Sequence, residues 1–281
     1  MEKRGQGWDQ MGAFVQHLHM EERERGTIEK YLCDLQLFMA WAGERKMDKP
    51  LTFTWKEHLK AQGYKPETIN GKLSALNKYL CFIGREECRV KLVHIQRRLF
   101  RGIGRELTKK EYLRLVDTAQ SLGKRRLALL MEAICATGIR VSEVKYITAE
   151  AVRAGYAEIS LKGKVRTILI PSKLRRKLEK YAKKQKIASG ELFVTRSGRG
   201  LSRRQIWAEM KGLCKEAGVE PGKVFPHNLR HLFARTFYHA CRDIAKLADV
   251  LGHSSIETTR IYLVSTGAEH ARQLDRMGLV S

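Results

Sequence analysis

The chain has 281 residues, of which 43% are hydrophobic and 30% are charged. It is therefore long enough for one large domain or two modest ones, each with a buried core. Lys and Arg outnumber Asp and Glu by 54 to 30, which gives a net charge of +24. An excess of this size indicates a polyanionic partner, and nucleic acid is the leading candidate.

The sequence does not indicate a membrane protein. The longest apolar run, LALLMEAICA from Leu127, is about half as long as a bilayer-spanning helix and contains a glutamate. No apolar segment follows the charged stretch MEKRGQGWDQ, so no secretory signal is predicted. We therefore predict a cytoplasmic protein that does not contact membranes.

The positive charge is concentrated in the second part of the chain. Residues 1–104 carry a net charge of +6, and residues 105–281 carry one of +18. Between Lys162 and Lys186 there are eleven basic residues and a single acid, Glu179. This segment lacks the aromatic and leucine stripe of a membrane-surface helix. We therefore expect it to face phosphate groups of nucleic acid rather than lipid.

The first part of the chain, residues 8–84, is predicted to form a small all-helical domain. Its apolar residues recur with helical spacing in successive stretches, and Pro66 lies near the start of the last one. Thr54 and Glu57 form a predicted capping box at the start of another helix.

A basic linker and a second domain are predicted to follow. The segment 85–106 is rich in Arg and Lys and precedes another capping box, Thr108 with Glu111. Over residues 107–281 the pattern is helical except at GYAEISLKGKVRTILIP, where apolar residues alternate around a Lys-Gly-Lys turn. The predicted fold is therefore mainly α, with an all-α N-terminal domain and an α+β second domain that contains a small β-hairpin.

Several polar residues of the second domain are candidates for chemistry, although each also has an ordinary structural explanation. Glu143 lies three residues after Arg140 and can orient its guanidinium, but such pairs are also typical of protein surfaces. His227 and Arg230 are spaced to lie on one side of a helix that Pro226 opens. There they could bind one anion together, or His227 could simply cap or pack the helix.

Three more candidates lie further along the chain or at the predicted hairpin. Lys162 is at the hairpin tip, where lysines are common for solubility alone. His253 and Tyr262 belong to the polar stretch LGHSSIETTRIY, which has little to bury, and a tyrosine there is also typical of packing at a helix end. The cysteines lack the spacing of a zinc site, and no cluster of carboxylates accompanies the histidines, so neither a metal site nor a cofactor is predicted.

Taken together, these residues resemble the active-site set of the tyrosine recombinases, also called the phage integrase family. The six positions occur in the family's order and rough spacing: Arg140 in TGIRVSE, Lys162 in LKGK, His227 and Arg230 in HNLRH, His253 in LGHSS and Tyr262 in TTRIY. The resemblance covers about residues 105–270 in detail. It extends more loosely to the N-terminal helices, which look like the family's SAM-like core-binding domain.

The resemblance implies cleavage and rejoining of a DNA phosphodiester without metal ion, cofactor or ATP. Tyr262 would be the nucleophile and would leave a 3′-phosphotyrosyl bond and a free 5′ hydroxyl. Arg140 and Arg230 would bind the phosphoryl oxygens through their planar guanidinium groups. His227 and His253 would add hydrogen-bond donors, and His227 could also accept the proton of the tyrosine.

Further basic residues would support the reaction or contact the DNA. Lys162 would be the general acid that protonates the leaving 5′ oxygen, with Lys164 as the alternative, and Glu143 would support Arg140. The basic side chains expected to contact DNA are Arg97, Arg98, Arg101, Arg105, Lys164 and Arg166.

The resemblance also implies the partners. The two domains would clamp double-stranded DNA that carries a specific core site, and four protomers would assemble on two duplexes, with the tail after Tyr262 docking on a neighbour. The role would be of the kind seen in integration and excision of a mobile element or resolution of DNA dimers, with inversion of a DNA segment and the need for accessory proteins left open. Two alternatives remain: a type IB topoisomerase-like enzyme that nicks and reseals one duplex, and a catalytically inert DNA-binding or architectural protein of the same fold.

Overall fold

The computed structural model describes residues 10–95, 106–161, 164–253, 255–262 and 275–277. The chain divides into two compact units, residues 1–97 and 98–281. Each unit has a hydrophobic core of its own. In the ranges described, no helix combines the length and the apolar character needed to cross a membrane.

The first unit is built from helices, as the apolar spacing predicts. In chain order they are α1 (Met11–Met20), α2 (Arg25–Ala42), α3 (Lys49–Ala61) and α4 (Pro66–Phe82). Pro66 is the first residue of α4, and Leu73 and Leu76 on its inner face are fully buried. Phe38 of α2 meets Trp55 of α3 edge to face, with ring centroids 5.5 Å apart. These contacts join the helices around one core.

The capping box predicted at Thr54 is wrong, because helix α3 starts earlier. Asp48 caps it by accepting a hydrogen bond from the backbone N–H of Leu51 at 2.8 Å. Pro50 lies in the first turn, where its missing N–H and fixed φ favour a helix start. Thr54 is in the middle of the helix, and its hydroxyl donates to the Pro50 carbonyl.

Residues 86–93, which belong to the predicted linker, pack on the first unit. Cys88 and Val90 are buried in its core. The side chain of Asn77 exchanges two hydrogen bonds with the backbone of Val90, and Asn70 does the same with Val93. Residues 96–105 of the predicted linker lie outside the described residues.

The second unit combines helices with one antiparallel hairpin. Its helices are α5 (Lys109–Ser121), α6 (Arg125–Thr137), α7 (Ala149–Ala154), α8 (Ser172–Lys184), α9 (Arg203–Lys211), α10 (Cys214–Ala217), α11 (Pro226–Cys241), α12 (Ile244–Leu251) and α13 (Ile256–Arg260). A 3₁₀ segment, Val141–Tyr146, follows α6. The capping box predicted at Thr108 and Glu111 is confirmed at the start of α5. The fold class predicted from the sequence is confirmed.

The predicted hairpin is present, with strands β1 (Tyr156–Leu161) and β2 (Lys164–Leu169). The strands pair in antiparallel register, so that Ile159 faces Arg166. Side chains on one face of the hairpin, such as Ile159 and Ile168, are buried in the core. Arg166 is two residues before Ile168 and therefore belongs to this inner face.

Helix ends bring distant segments together in the second unit. Helix α6 ends at Gly138, which has a φ of +67°. A Cβ atom on Gly138 would lie only 2.4 Å from the Phe233 ring of α11, so the glycine lets the two helices approach closely. Helix α12 ends in the same way at Gly252, with a φ of +63°. The polar residues that follow these glycines can therefore meet beside α11.

Candidate active site

The polar residues singled out in the second unit converge on one region. Arg140 follows α6, Arg230 lies near the start of α11, and His253 follows α12. Tyr262 comes shortly after α13. The contacts described below join all four residues, although the chain separates the first from the last by more than a hundred positions.

Glu143 holds two arginines in place. Its carboxylate is completely buried, and its Oε1 atom lies 2.9 Å from Nη1 of Arg140. Its Oε2 atom accepts the backbone N–H of Arg140 at 2.7 Å and a further hydrogen bond from Nη2 of Arg166. A carboxylate in this position offsets part of the positive charge and fixes the orientation of both guanidinium groups. The predicted support of Arg140 by Glu143 agrees with this geometry.

Gly252 makes room for Arg166. Its positive φ disfavours a side chain, and a Cβ atom there would lie 2.4 Å from Cδ of Arg166. Arg166 donates from Nη1 to the Val250 carbonyl at 3.3 Å, and Nη2 of Arg140 lies 3.5 Å from the Gly252 carbonyl. A larger residue at the glycine of the Leu-Gly-His motif would therefore clash with the Arg166 side chain that lies against it.

Arg230 is the most deeply buried cation of the group, with 2% of its surface exposed. Its Nη1 atom donates to the Gly138 carbonyl at 2.5 Å, and its Nη2 atom donates to the Leu251 carbonyl at 2.8 Å. Nη2 also lies 2.9 Å from Nε2 of His253. Burial lowers the pKa of Arg230, and its interaction with the Tyr262 side chain partly offsets that shift. The guanidinium is thus held beside the phenol.

The hydrogen bonds of His253 define its tautomer. Arginine has no acceptor, so Nε2 of His253 must accept the hydrogen bond from Arg230. The proton of the neutral ring is then on Nδ1, which lies 2.8 Å from Oγ1 of Thr259 and donates to it. Burial, followed by the charges of Arg230 and two neighbouring arginines, lowers the pKa of His253 from 6.5 to about 4. The imidazole is therefore neutral at pH 7.

Tyr262 lies against a group of imidazoles on one side and apolar residues on the other. Its ring stacks on that of His253 with centroids 5.7 Å apart, and the His231 centroid is 4.3 Å away. Leu247 and Leu251 belong to the same buried cluster, and only 3% of the tyrosine is exposed. The expectation that this stretch buries little is therefore wrong for its end, because the phenol itself is a packed side chain.

His227 is the exposed member of the set. It follows Pro226, which opens α11 as predicted. Its ring centroid is 5.9 Å from that of Tyr262 and 4.7 Å from that of His231. The helix spacing therefore brings His227 and Arg230 to the same phenol, with one side chain accessible and the other buried.

Sequence reasoning missed three residues of this group. Arg166 was predicted only as a DNA contact, yet the structure places its guanidinium on buried Glu143, with 15% of the side chain exposed. The alternation of β2 could have shown this, because Arg166 shares the inner face of the strand. Thr259 and His231 gave no comparable signal, since their importance comes from contacts with residues distant in space.

Other predicted residues cannot be located in this group. Lys162, the arginines of the linker and most of the tail after Tyr262 lie outside the described residues. Lys164 begins β2, but its side chain is not among those described. The roles predicted for these residues therefore stay predictions.

The arrangement suits an oxyanion. Arg140 and Arg166 share the single carboxylate of Glu143, and the guanidinium of Arg230 lies near both of them, so the cluster keeps a net positive charge beside the phenol. Guanidinium donors match the oxygens of a phosphate in both charge and geometry. Within the described part of the chain, no group of His, Cys, Asp and Glu side chains is placed to bind a metal ion.

The lowered pKa of His253 predicts that acid destabilises the fold. Because the pKa is 6.5 in the unfolded chain and about 4 in the folded one, the unfolded state binds more protons between these pH values. The stabilising contribution is present above the higher pKa and is lost as the pH falls through the lower one. Denaturant titrations should therefore show a smaller loss of stability in acid for His253→Gln than for the wild type. Equal losses in both proteins would contradict the assigned shift.

Two family models match the chain. The phage integrase family matches residues 105–269, and the N-terminal SAM-like domain of phage integrases matches residues 12–87. The first match alone covers more than half of the chain.

Several similar proteins carry the name tyrosine recombinase. The XerA recombinase of Thermococcus kodakarensis is 30% identical over 92% of both chains. That of Pyrococcus furiosus is 29% identical over 95% of this chain and 93% of its own. The XerD recombinase of Xanthomonas axonopodis is 29% identical and covers 89% of this chain and 90% of its own.

Solved structures share the fold at lower identity. A lambda integrase dimer bound to a core site superposes with a TM-score of 0.71 at 17% identity, covering 90% of this chain and 76% of that one. The XerH recombinase bound to its difH substrate gives a TM-score of 0.67 at 19% identity, covering 94% and 83%. The chain therefore belongs to the phage integrase family, that of the tyrosine recombinases.

Proposed function

We propose that the protein is a site-specific DNA recombinase that cuts and rejoins duplex DNA through a covalent bond between Tyr262 and a phosphate. One observation carries this proposal more than any other. The Tyr262 ring stacks on that of His253, whose Nε2 atom lies 2.9 Å from the buried guanidinium of Arg230, and Arg140 is held in the same cluster. Binding alone does not need a phenol at the centre of a cationic pocket, whereas nucleophilic catalysis does.

The proposed reaction is an in-line displacement at phosphorus. The phenol oxygen of Tyr262 forms a bond to phosphorus, the bond to the 5′ oxygen breaks, and the phenol proton leaves to a base. Arg140 and Arg230 stabilise the charge that develops on the non-bridging oxygens, a contribution worth roughly 10²–10³-fold in rate for each donor. The phosphotyrosyl ester keeps the bond energy of the broken phosphodiester. A 5′ hydroxyl can therefore attack the ester and reverse the reaction without ATP.

The remaining roles follow from exposure and charge. His227 is exposed beside the phenol and is suited to accept its proton. We assign the general acid to Lys162, with Lys164 as the alternative, because a lysine at a hairpin tip can approach the leaving oxygen. Neutral His253 becomes a second donor only when it gains a proton at Nε2.

The buried phenol requires a rearrangement when DNA binds. Tyr262 is 3% exposed, and two donors of Arg230 are occupied by backbone carbonyls. A phosphate must therefore displace part of these contacts before attack. We propose that the structure is a resting arrangement, and that binding of the anion draws Arg230 and Tyr262 into the reactive geometry.

The partners proposed are duplex DNA with a core site and further copies of the protein. The related structures include a lambda integrase tetramer on a Holliday junction, which supports a tetramer here. The proposed layout is a helical DNA-binding domain over 8–84, a linker over 85–106 and a catalytic domain over 107–281. The predicted cytoplasmic location belongs to the same proposal, as does a role in integration, excision or dimer resolution.

A pool of nicked duplexes with a randomised core tests the function and selects the recognised site at the same time. After cleavage, the short strand next to the nick dissociates and takes with it the 5′ hydroxyl that would reverse the reaction. The covalent intermediate therefore accumulates and is seen as a protein–DNA band on a denaturing gel. We expect such a band, with a consensus core in the recovered DNA, and transfer of the bound strand to a second duplex. Binding without a band would indicate the inert protein, and resealing without exchange between duplexes would indicate the topoisomerase-like enzyme.

A further inference from the structure

The hydroxyl of Thr259 occupies a defined place behind His253. Thr259 is completely buried, and its Oγ1 atom lies 2.8 Å from Nδ1 of His253. It stands six residues after His253 and three before Tyr262, on the short helix α13. The same imidazole therefore has Thr259 on one nitrogen and Arg230 on the other.

We propose that Thr259 is a positioning residue that holds the His253 ring with its Nε2 atom directed to the phosphate site, in both protonation states. This inference rests on the proposed function and concerns the same pocket. In the resting protein, Nε2 accepts from Arg230 and Nδ1 donates to Thr259. When a phosphate draws Arg230 away, Nε2 can take up a proton and donate to the phosphate, while Thr259 continues to accept from Nδ1.

The charges around His253 explain why it needs this support. Arg230 and His227 on α11, Arg140 before the 3₁₀ segment and Arg166 on β2 all disfavour a proton on the ring. A phosphate supplies the opposite charge. A hydrogen bond to the charged imidazole then favours the protonated form further, because bonds to charged groups are stronger than neutral ones. Loss of the Thr259 acceptor should therefore make His253 harder to protonate.

Thr259→Val tests this inference, with Thr259→Ser as the matched control. Valine keeps the shape of the side chain and removes the acceptor, whereas serine keeps the hydroxyl. We expect covalent-complex formation by Thr259→Val to slow by about 10-fold or more near neutral pH, by analogy with the loss of an outer partner of a functional histidine. We also expect the high-pH limb of its rate profile to move to lower pH. Thr259→Ser should retain the wild-type profile.

A second measurement separates this inference from the proposed function. Nitrogen-15 NMR of the histidine rings reports the tautomer in the free protein, with no DNA present. We expect the Nδ1–H form of His253 in all three proteins, because Arg230 donates to Nε2 in each of them. The Nδ1 proton should be protected from solvent exchange in the wild type and in Thr259→Ser, and should lose this protection in Thr259→Val. A valine variant that slows equally at every pH, or whose Nδ1 proton stays as protected as in the wild type, would overturn the positioning role. Absence of cleavage by the wild type, with the tautomers as expected, would instead contradict the proposed function.

The exposed cations of helix α8 support a second inference. The helix presents an outer stripe of exposed cations with helical spacing: Lys173, Arg176, Lys180, Lys183 and Lys184. Within the described residues none of the five has an ion-pair partner. In contrast, Arg175 and Lys177 on the flanks of α8 pair with Glu179 and Glu132. Like charges three or four residues apart destabilise a helix, so this stripe is not arranged for stability.

The outer stripe extends away from the candidate active site. Lys177 reaches Glu132 in the middle of α6, and Tyr181 interacts with Arg126 near the start of α6. Helix α6 ends at the active site with Gly138, about 20 Å from its first residue by helical rise. The C-terminal half of α8 therefore lies near the end of α6 that is remote from Arg140.

We propose that the outer stripe binds the backbone of DNA at phosphates other than those held at the active site. Duplex DNA carries a charge about every 1.7 Å along its axis, so a helix about 20 Å long can face several phosphates. The exposed cations of the stripe match such a row in the sign of their charge. The contact would be independent of sequence, because it involves the phosphate backbone alone.

The test compares two double variants of α8 that lose the same charge. Arg176→Gln/Lys180→Gln removes cations of the outer stripe, and Arg175→Gln/Lys177→Gln removes paired cations of the flanks. With a duplex of random sequence, we expect the salt dependence of log K to fall by about 2 for the first variant, which is roughly 0.9 for each phosphate contact. The second variant should keep the wild-type slope, and both should form the covalent complex. Equal slopes in the two variants would overturn the inference.

Discussion

Replacement of Tyr262 by phenylalanine is expected to abolish the covalent complex with DNA altogether. The phenol oxygen is the only atom of this side chain that can bond to phosphorus, and the substitution removes it while keeping the ring. The ring packs on His253 and on the buried cluster of α12, and these contacts are unchanged. A denaturing gel with the nicked duplex measures the result.

The fold of Tyr262→Phe should remain intact, which makes the result specific. Only the phenol hydroxyl is lost, so the free energy of unfolding should change by about 1 kcal/mol, the size of one polar interaction. DNA binding should also persist, because the arginines of the pocket are unchanged. A covalent band from the phenylalanine variant would show that another residue is the nucleophile.

Replacement of Glu143 by alanine is expected to produce the largest loss of stability of any single change in the pocket. The carboxylate is completely buried and is the described partner of Arg140 and Arg166. Its removal leaves Arg166, with 15% of its side chain exposed, without the opposite charge. Loss of one partner of such a pair costs about 3–5 kcal/mol, and thermal or denaturant unfolding measures it.

A double variant distinguishes loss of charge balance from loss of packing. Glu143→Gln/Arg166→Met removes both charges and keeps side chains of similar size, so it should recover much of the stability that Glu143→Ala loses. Its cleavage activity should remain low, because Arg140 loses the carboxylate that orients it. If Glu143→Ala unfolds like the wild type, then the carboxylate does not balance the arginine cluster.

The parts of the fold that depend on local pattern could be predicted from the sequence. The apolar spacing of α4, the capping box at Thr108 and the pairing of β1 with β2 each depend on residues that are close together in the chain. The start of α3 was missed because two local signals compete, and Asp48 with Pro50 is the stronger one.

The candidate site shows the same division between local and distant contacts. The pair of Arg140 and Glu143 is a neighbour effect and was predictable. The second arginine on Glu143 comes from a strand, and the acceptor behind His253 comes from a separate helix. Such contacts depend on tertiary packing, and no spacing within a single segment reveals them. The burial of Tyr262 against α12 has the same origin.

The most direct measurement identifies the atom to which DNA becomes attached. The covalent complex would be digested with trypsin and nuclease, and the peptide that carries the nucleotide would be fragmented by mass spectrometry. Cleavage after Arg260 releases the peptide 261–272, which contains a single tyrosine. We predict a nucleotide linked through its 3′ phosphate to Tyr262. A nucleotide on Ser265, on Thr266 or on any other peptide would contradict it.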